Sequence, residues 1–218
     1  MITKLLPQRG RPRGFDAETA LDTGQRLFHA RGYEAVGLAA LTSALGIKPT
    51  SFYRTFGSKA GYFARILERY SQSVLALEGI LRPGRPPAEA LADLLERAAL
   101  TYACDPQLRG CLVLEAARGG DDDESANLAR RSAQHKRSHI RVFVALSNPD
   151  AADAMTDYVA STMSGLSASA REGMSEDRLV VVARAAAAAL PILLIENSPL
   201  GRQPNANETR DIAAIARG

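Results

Sequence analysis

The chain has 218 residues and a formal net charge of only +3, so it is long enough for one large domain or two smaller ones, each with a real core, and composition alone excludes little. No run approaches the roughly 18 uninterrupted apolar residues of a membrane span, and the first residues lack the apolar stretch of a signal peptide, so a cytoplasmic protein with no membrane partner is expected. Cys104 and Cys111 are too few for a disulfide framework and are not spaced as a zinc site or a CxxC motif, which leaves reduced, buried structural thiols as the expectation and a redox pair as the alternative.

Charge is unevenly placed. Residues 1–59 carry nine Lys/Arg against four Asp/Glu, whereas the remaining residues carry 18 against 20. A basic front end attracts polyanions by counterion release, with nucleic acid the leading partner and an anionic membrane surface the second.

Four segments are expected: a flexible basic arm over 1–14, a helix-turn-helix over 15–60, a helical body over 61–197 and a polar tail over 198–218. The arm contains Arg9-Gly10-Arg11-Pro12-Arg13-Gly14. Gly and Pro keep such a strand extended and thin, and arginines seek the negative potential of a narrow A·T-rich minor groove, so Arg9, Arg11 and Arg13 are candidate DNA contacts. A plain basic tail is the alternative.

Helical periodicity dominates the rest, as in Leu21, Leu27 and Phe28, then Phe63, Ile66, Leu67 and Tyr70, then Leu91, Leu94, Leu95 and Ala98. Strand-like alternation is almost absent. Breakers leave about nine helices, and the fold class is all-α. The first helix is expected to start at Asp16, whose carboxylate caps the free N–H groups of the first turn, and to end at Gly32. Gly24 inside it costs about 1 kcal/mol of helix propensity if exposed, a sign of close packing. A short helix over 38–45, the turn Gly46-Ile47-Lys48, a second short helix from Pro49 to about Thr55 and a long helix from near Ser58 complete a helix-turn-helix. In the second short helix Phe52 and Phe56 lie four apart and can pack on Leu41, Leu45 and Ile47. Lys48, Pro49, Thr50, Ser51, Tyr53, Arg54 and Thr55 are then left for the major groove, with Lys59 in reach of a phosphate.

The spaced pattern Leu27-Phe28-x-x-Arg31-Gly32-Tyr33, Leu45-Gly46-Ile47 and Phe52-Tyr53-x-x-Phe56-Gly57-Ser58-Lys59 resembles the tetracycline-repressor (TetR) family of regulators. The resemblance is close over residues 16 to about 68. It implies that Tyr53 and Lys59 contact phosphates, that Thr50 and Ser51 contact bases or backbone, and that Arg54 and Thr55 add DNA contacts. It further implies a homodimeric, ligand-responsive repressor on a palindromic double-stranded DNA operator, with an unknown small-molecule effector. Two departures stand out: Gly37-Leu38 and Lys48 occupy positions where many members carry Ser or Thr caps.

In the body the resemblance rests on Arg109-Gly110-Cys111-Leu112 and Ala170-Arg171-Glu172-Gly173. It places an effector pocket between Ala60 and Leu146, with Leu94, Ala98, Tyr102, Leu112, Leu114 and Phe143 as candidate linings, each of which could equally be plain core. The eighth and ninth expected helices carry stripes of small residues. Met155, Tyr158, Ser161, Thr162, Gly165, Leu166 and Ser169, with Val182, Ala186, Leu190 and Leu194, are the candidate dimer interface, an intrachain core being the alternative. Pro191 should kink the last helix. Asp121-Asp122-Asp123-Glu124 is expected to cap the seventh helix. His135 and His139 share a face at metal-ligand spacing, but Lys136, Arg137 and Arg141 would repel a cation, so no metal or cofactor is expected. With no GxSxG, phosphate-binding glycine loop or HExxH, no enzyme activity is expected.

Overall fold

The computed structural model describes residues 16–196; the basic arm with Arg9, Arg11 and Arg13, and the tail beyond Glu196, lie outside them. The described residues are helical with no strand: α1 (Ala17–Arg31), α2 (Leu38–Leu45), α3 (Pro49–Phe56), α4 (Lys59–Ser73), α5 (Leu77–Ile80), α6 (Pro87–Ala103), α7 (Leu112–Ala116), α8 (Glu124–Ala145), α9 (Ala152–Arg171), α10 (Glu176–Ala187) and α11 (Leu190–Glu196). Among the described residues nine helices have seven or more residues, and α5 and α7 are single short turns of four and five.

Local chemistry sets the boundaries as the sequence suggests. The Asp16 carboxylate accepts from the backbone N–H groups of Glu18 at 3.3 Å and Thr19 at 3.2 Å, which holds its pKa below the ordinary range, the Thr19 hydroxyl being the largest cause. Asp123 does the same for α8, accepting from Ser125 N at 2.8 Å and Ala126 N at 3.1 Å. By contrast α2 and α3 begin at Gly37 and Lys48 without any side-chain cap.

Backbone packing divides the chain into two compact units, with the boundary between Ile66 and Leu67 rather than after residue 60. The reason is aromatic. Tyr62 and Phe63, in the first half of α4, are fully buried, Phe63 against Phe28 and Tyr33 (centroids 5.0 and 4.9 Å) and Tyr62 against Phe52 and Phe56 (5.3 and 4.4 Å). The Tyr62 hydroxyl donates to the Ala20 carbonyl of α1, and burial pushes its pKa up to about 12. A Cβ added to Gly24, one turn further along α1, would sit 2.3 Å from that hydroxyl oxygen and 2.5 Å from Cζ. Gly24 is therefore the socket for the Tyr62 ring.

The second unit is built around α6. Ala90, Leu91, Leu94, Leu95, Ala98, Ala99 and Tyr102 are buried, and α5, α9, α10 and α11 pack on this helix while α8 packs on α7 and α9. The two short motifs singled out in the body form one joint. Arg109 donates to the Met174 carbonyl at 2.9 Å, Arg171 donates to the Arg109 carbonyl at 2.9 Å, and Cys111 N donates to the buried Ser167 hydroxyl at 2.9 Å. Between them Gly110 has φ +80°, and a Cβ there would lie 2.8 Å from Arg171 Cγ, so both backbone conformation and space demand glycine.

The last helical stretch departs from a simple kink. Helix α10 ends at Ala187 and α11 begins at Leu190, because Pro191 has no N–H to donate to the Ala187 carbonyl and the turn opens ahead of it. By length and composition Glu176–Glu196 could cross a membrane, its apolar window having a mean hydropathy of 2.1. It is instead docked on the helical body: Leu179, Ala183 and Leu190 are buried, and Arg184 pairs with Glu96 of α6 at 2.7 Å. The thiols also divide. Cys111 is buried, but Cys104, at the end of α6 where the chain turns away, is exposed.

Replacing Gly24 by Ala should lower stability by about 1–3 kcal/mol through overpacking against Tyr62, although helix propensity alone predicts a gain of about 1 kcal/mol. Denaturant unfolding of the two proteins measures the sign directly; a stabilised variant would mean that α1 yields to the ring.

Candidate functional site

Helix α3 is amphipathic in the strict sense. Phe52 and Phe56 are buried and meet each other at 5.2 Å between centroids, while Leu41 of α2 is fully buried and Leu45 and Ile47 are half-buried. Tyr62, which sequence spacing does not point to, is the aromatic partner that seats both phenylalanines. With that face sealed, Lys48, Pro49, Thr50, Tyr53 and Arg54 are exposed and Ser51, Thr55 and Lys59 half-buried. Tyr53 is 52% exposed, unusual for an aromatic ring on a short helix beside its own core. The Thr55 hydroxyl donates to the Ser51 carbonyl at 2.9 Å, so that group is already engaged within the helix.

Charge along this stretch of the chain is of one sign. Between Glu34 and Glu68 there is no acidic residue, and Lys48, Arg54, Lys59 and Arg65 all lie in that interval. Lys59 opens α4, where the Ser58 hydroxyl accepts from Gly61 N at 2.9 Å. Its ammonium stands over the Tyr33 ring, 3.9 Å from the centroid, and Tyr33 in turn stacks on Phe28 at 5.5 Å. Tyr33 thus holds a flexible cation in one place at the end of a helix whose positive dipole end adds to its charge. The sequence identifies Lys59; the platform beneath it comes from residues 26 positions away in the chain and is visible only in the fold.

The second unit contains a cavity of about 510 Å³, within the range of small-molecule sites. Its wall comes from the end of α4, the following turn and the start of α5 (Tyr70, Val74, Leu75, Leu77), from Tyr102 on α6, from Cys111, Val113 and Leu114, from α8, and from Ala160, Met163 and Ser164 on α9. Of the six expected linings, Tyr102 and Leu114 are on this wall. Leu94, Ala98, Leu112 and Phe143 are not: they are buried where helices pack on one another, because periodicity marks a buried face without saying whether a void or a helix lies opposite. Burial pushes the Tyr70 and Tyr102 hydroxyls well above their usual pKa, with Cys111 beside both adding to the effect. Tyr70 Oη also accepts from Leu112 N at 3.4 Å. Leu75, on the same wall, holds a left-handed φ of 54°, a conformation that costs a leucine of order 1 kcal/mol.

On α9 and α10–α11 the expected interface residues separate by face. Ser161, Gly165 and Val182 are exposed and Tyr158, Thr162, Ser169, Ala186 and Leu194 half-buried, but Met155, Leu166 and Leu190 are inside the chain's own core. Tyr158 donates to the Ala186 carbonyl at 2.8 Å and so ties α9 to α10. The correction is geometric: residues chosen every four positions advance about 40° around a helix per step, so the series that starts exposed at Val182 has reached the core at Leu190. The continuous exposed stripe is Val181, Ala185, Ala188, Ile192 and Ile195. Its alternating steps of four and three stay on one side, and Val181 and Ile195 are 65% and 66% exposed. Elsewhere, His135 and His139 are exposed with ring centroids 4.4 Å apart, and no group of three or more metal-ligating side chains occurs among the described residues.

Comparison with known proteins assigns the family. Residues 20–66 match the family model of bacterial regulatory proteins, tetR family. The chain is 39% identical over 198 residues, 90% of its own length and 100% of the relative's, to the HTH-type transcriptional repressor BdcR of Escherichia coli (strain K12). It is 30% identical over 187 residues, 80% of this chain and 89% of the relative, to the HTH-type transcriptional repressor ComR of the same organism. Among solved structures it is similar to a cysteine mutant of the TetR family transcriptional regulator CifR complexed with 26-base-pair double-strand operator DNA, with a TM-score of 0.72, 32% identity, and coverage of 83% of this chain and 100% of that one. The chain belongs to the TetR family of bacterial transcriptional regulators.

Proposed function

We infer that the protein is a transcriptional repressor which binds a palindromic operator as a homodimer and releases it when a small molecule occupies the cavity of the second unit. The observation that carries this reading is the exposed face of α3, with Thr50, Tyr53 and Arg54 outward and Phe52 and Phe56 sealed beneath, set in a stretch with no acidic residue between Glu34 and Glu68. Such a face can enter a major groove without repelling phosphate, and Lys48, Arg54 and Lys59 can neutralise the backbone on either side. The repressor names of the two relatives and the operator complex of CifR support the same reading. The protein on this account binds and releases and does not catalyse.

The two copies meet along α9 and α10–α11. Val181, Ile192 and Ile195 leave apolar surface in water that a second copy would cover, and Gly165 has no heavy atom within 4 Å of an added Cβ. Effector binding then acts by favouring the state in which the two recognition helices no longer match one DNA turn. Arg9, Arg11 and Arg13 supply minor-groove contacts beside each half-site.

The test is binding to DNA upstream of the protein's own coding region across a range of salt. Log affinity should fall linearly with log salt, by about 0.9 for each phosphate neutralised; a salt-independent or absent interaction would remove the assignment. Tyr53→Phe should weaken operator binding by about 1 kcal/mol with an unchanged Tm, since only a phosphate-bonding hydroxyl is lost. Tyr33→Leu should weaken binding and Tyr33→Phe should not, because a ring suffices to hold Lys59; equal binding by both would separate Tyr33 from the DNA face. Deleting residues 1–14 should weaken binding most for operators with A·T-rich flanks, and a loss indifferent to the flanks would leave only a basic tail. Finally, Gly165→Leu meets open space within the chain and should leave it folded yet convert dimer to monomer in sedimentation; a dimer of undiminished strength would move the interface elsewhere.

A further inference from the structure

The charged residues on the cavity wall are Arg118, Arg130, Lys136 and Arg137, with no Asp or Glu among the lining side chains. Three of the four have their charge answered at the rim. Arg118 lies 3.7 Å from Glu115, Arg130 donates to the Gly119 and Gly120 carbonyls and lies 3.5 Å from Asp121, and Arg137 is 3.9 Å from Asp157. Lys136 differs. It is half-buried, its ammonium donates only to the Val74 carbonyl at 3.0 Å, and no carboxylate among the described residues comes within ion-pair distance. Burial pulls its pKa down, with Cys111 and Glu78 opposing more weakly. A cation held out of water with one neutral acceptor is a costly arrangement, and an anionic group entering the cavity would relieve it.

The rest of the wall is suited to hydrocarbon. Val74, Leu77, Val113, Leu114, Ile140 and Met163 supply aliphatic and thioether surface around the same space. We propose that the cavity takes an apolar organic anion with one charged end, its carboxylate or phosphate head paired with Lys136 and its hydrocarbon body packed between α8, α9 and the turn after α4. This rests on the reading of the cavity as the effector site, and it narrows that site to one class of molecule: acids with a single charged end, in preference to neutral hydrophobes, cations or sugars. The wall offers one uncommitted cation, so dianions with two separated charges should fit poorly.

The experiment compares decanoate and decyl phosphate with 1-decanol, which shares the chain and lacks the charge, using calorimetry on the full-length dimer. At least one of the two anions should bind more tightly than the alcohol, and the tighter one identifies the head group. Lys136→Met should abolish that preference, weakening the anion by about 30-fold or more while leaving the alcohol unchanged, as loss of one partner of a desolvated charge pair does. Because Lys136 also holds the Val74 carbonyl, Lys136→Gln, which keeps a donor, serves as a second variant and should behave alike. Equal binding of anions and alcohol, no binding by any of the three, or an anion preference that survives both substitutions overturns the proposal. Operator affinity measured in the same samples separates this from the effector reading. An anion that binds through Lys136 without loosening the operator sustains the anion site and removes its effector role, whereas release by 1-decanol alone sustains an effector site and overturns the anionic ligand.

Discussion

The first unit is organised by a single close approach, the Tyr62 ring lodged against the bare Cα of Gly24 with its hydroxyl on the Ala20 carbonyl. That one side chain joins three helices: it fixes its own α4 to α1 and presents its faces and edges to Phe52 and Phe56 of α3. Aromatic pairs at these separations contribute of order 1 kcal/mol each beyond their buried area. Their larger effect is orientation, because a ring wedged between helices resists rotation in a way that several leucines would not. A recognition helix of eight residues is too short to be stable or directed alone, so its aim comes from this wedge.

Much of this unit is legible in the sequence. Asp16, Gly32, Gly46, Pro49 and Gly57 are punctuation marks whose chemistry acts within one turn, and the helices they delimit follow from them. Gly24 was conspicuous because nothing local requires it, which pointed to a neighbour without naming Tyr62. The positions of Tyr62 and Tyr33 beneath the site were not legible, since each depends on a partner in another helix.

The body resisted the same treatment for a related reason. Leu94, Ala98, Leu112 and Phe143 read identically to Leu114 and Met163 in a periodicity argument, yet the former fill helix–helix contacts and the latter border a void. Likewise a four-residue repeat over Val182, Ala186, Leu190 and Leu194 looks like one face and spirals off it, which only the backbone of α10 and α11 reveals. The joint between Arg109-Gly110-Cys111 and the Arg171 segment was marked at both ends by motif but could not be assembled, because its halves lie 62 residues apart.

The exposed Val181, Ile192 and Ile195 stripe has a consequence for gene control. If operator affinity belongs to the paired molecule, then at low expression the active species rises with the square of the chain concentration, by mass action. Halving the concentration of chains would then reduce the operator-competent population about fourfold. A gene under such a protein switches over a narrower range of dosage than one under a regulator that works singly, and with the pairing surface proposed above the sharpness would be set by hydrocarbon on α10 and α11 rather than by any residue facing DNA.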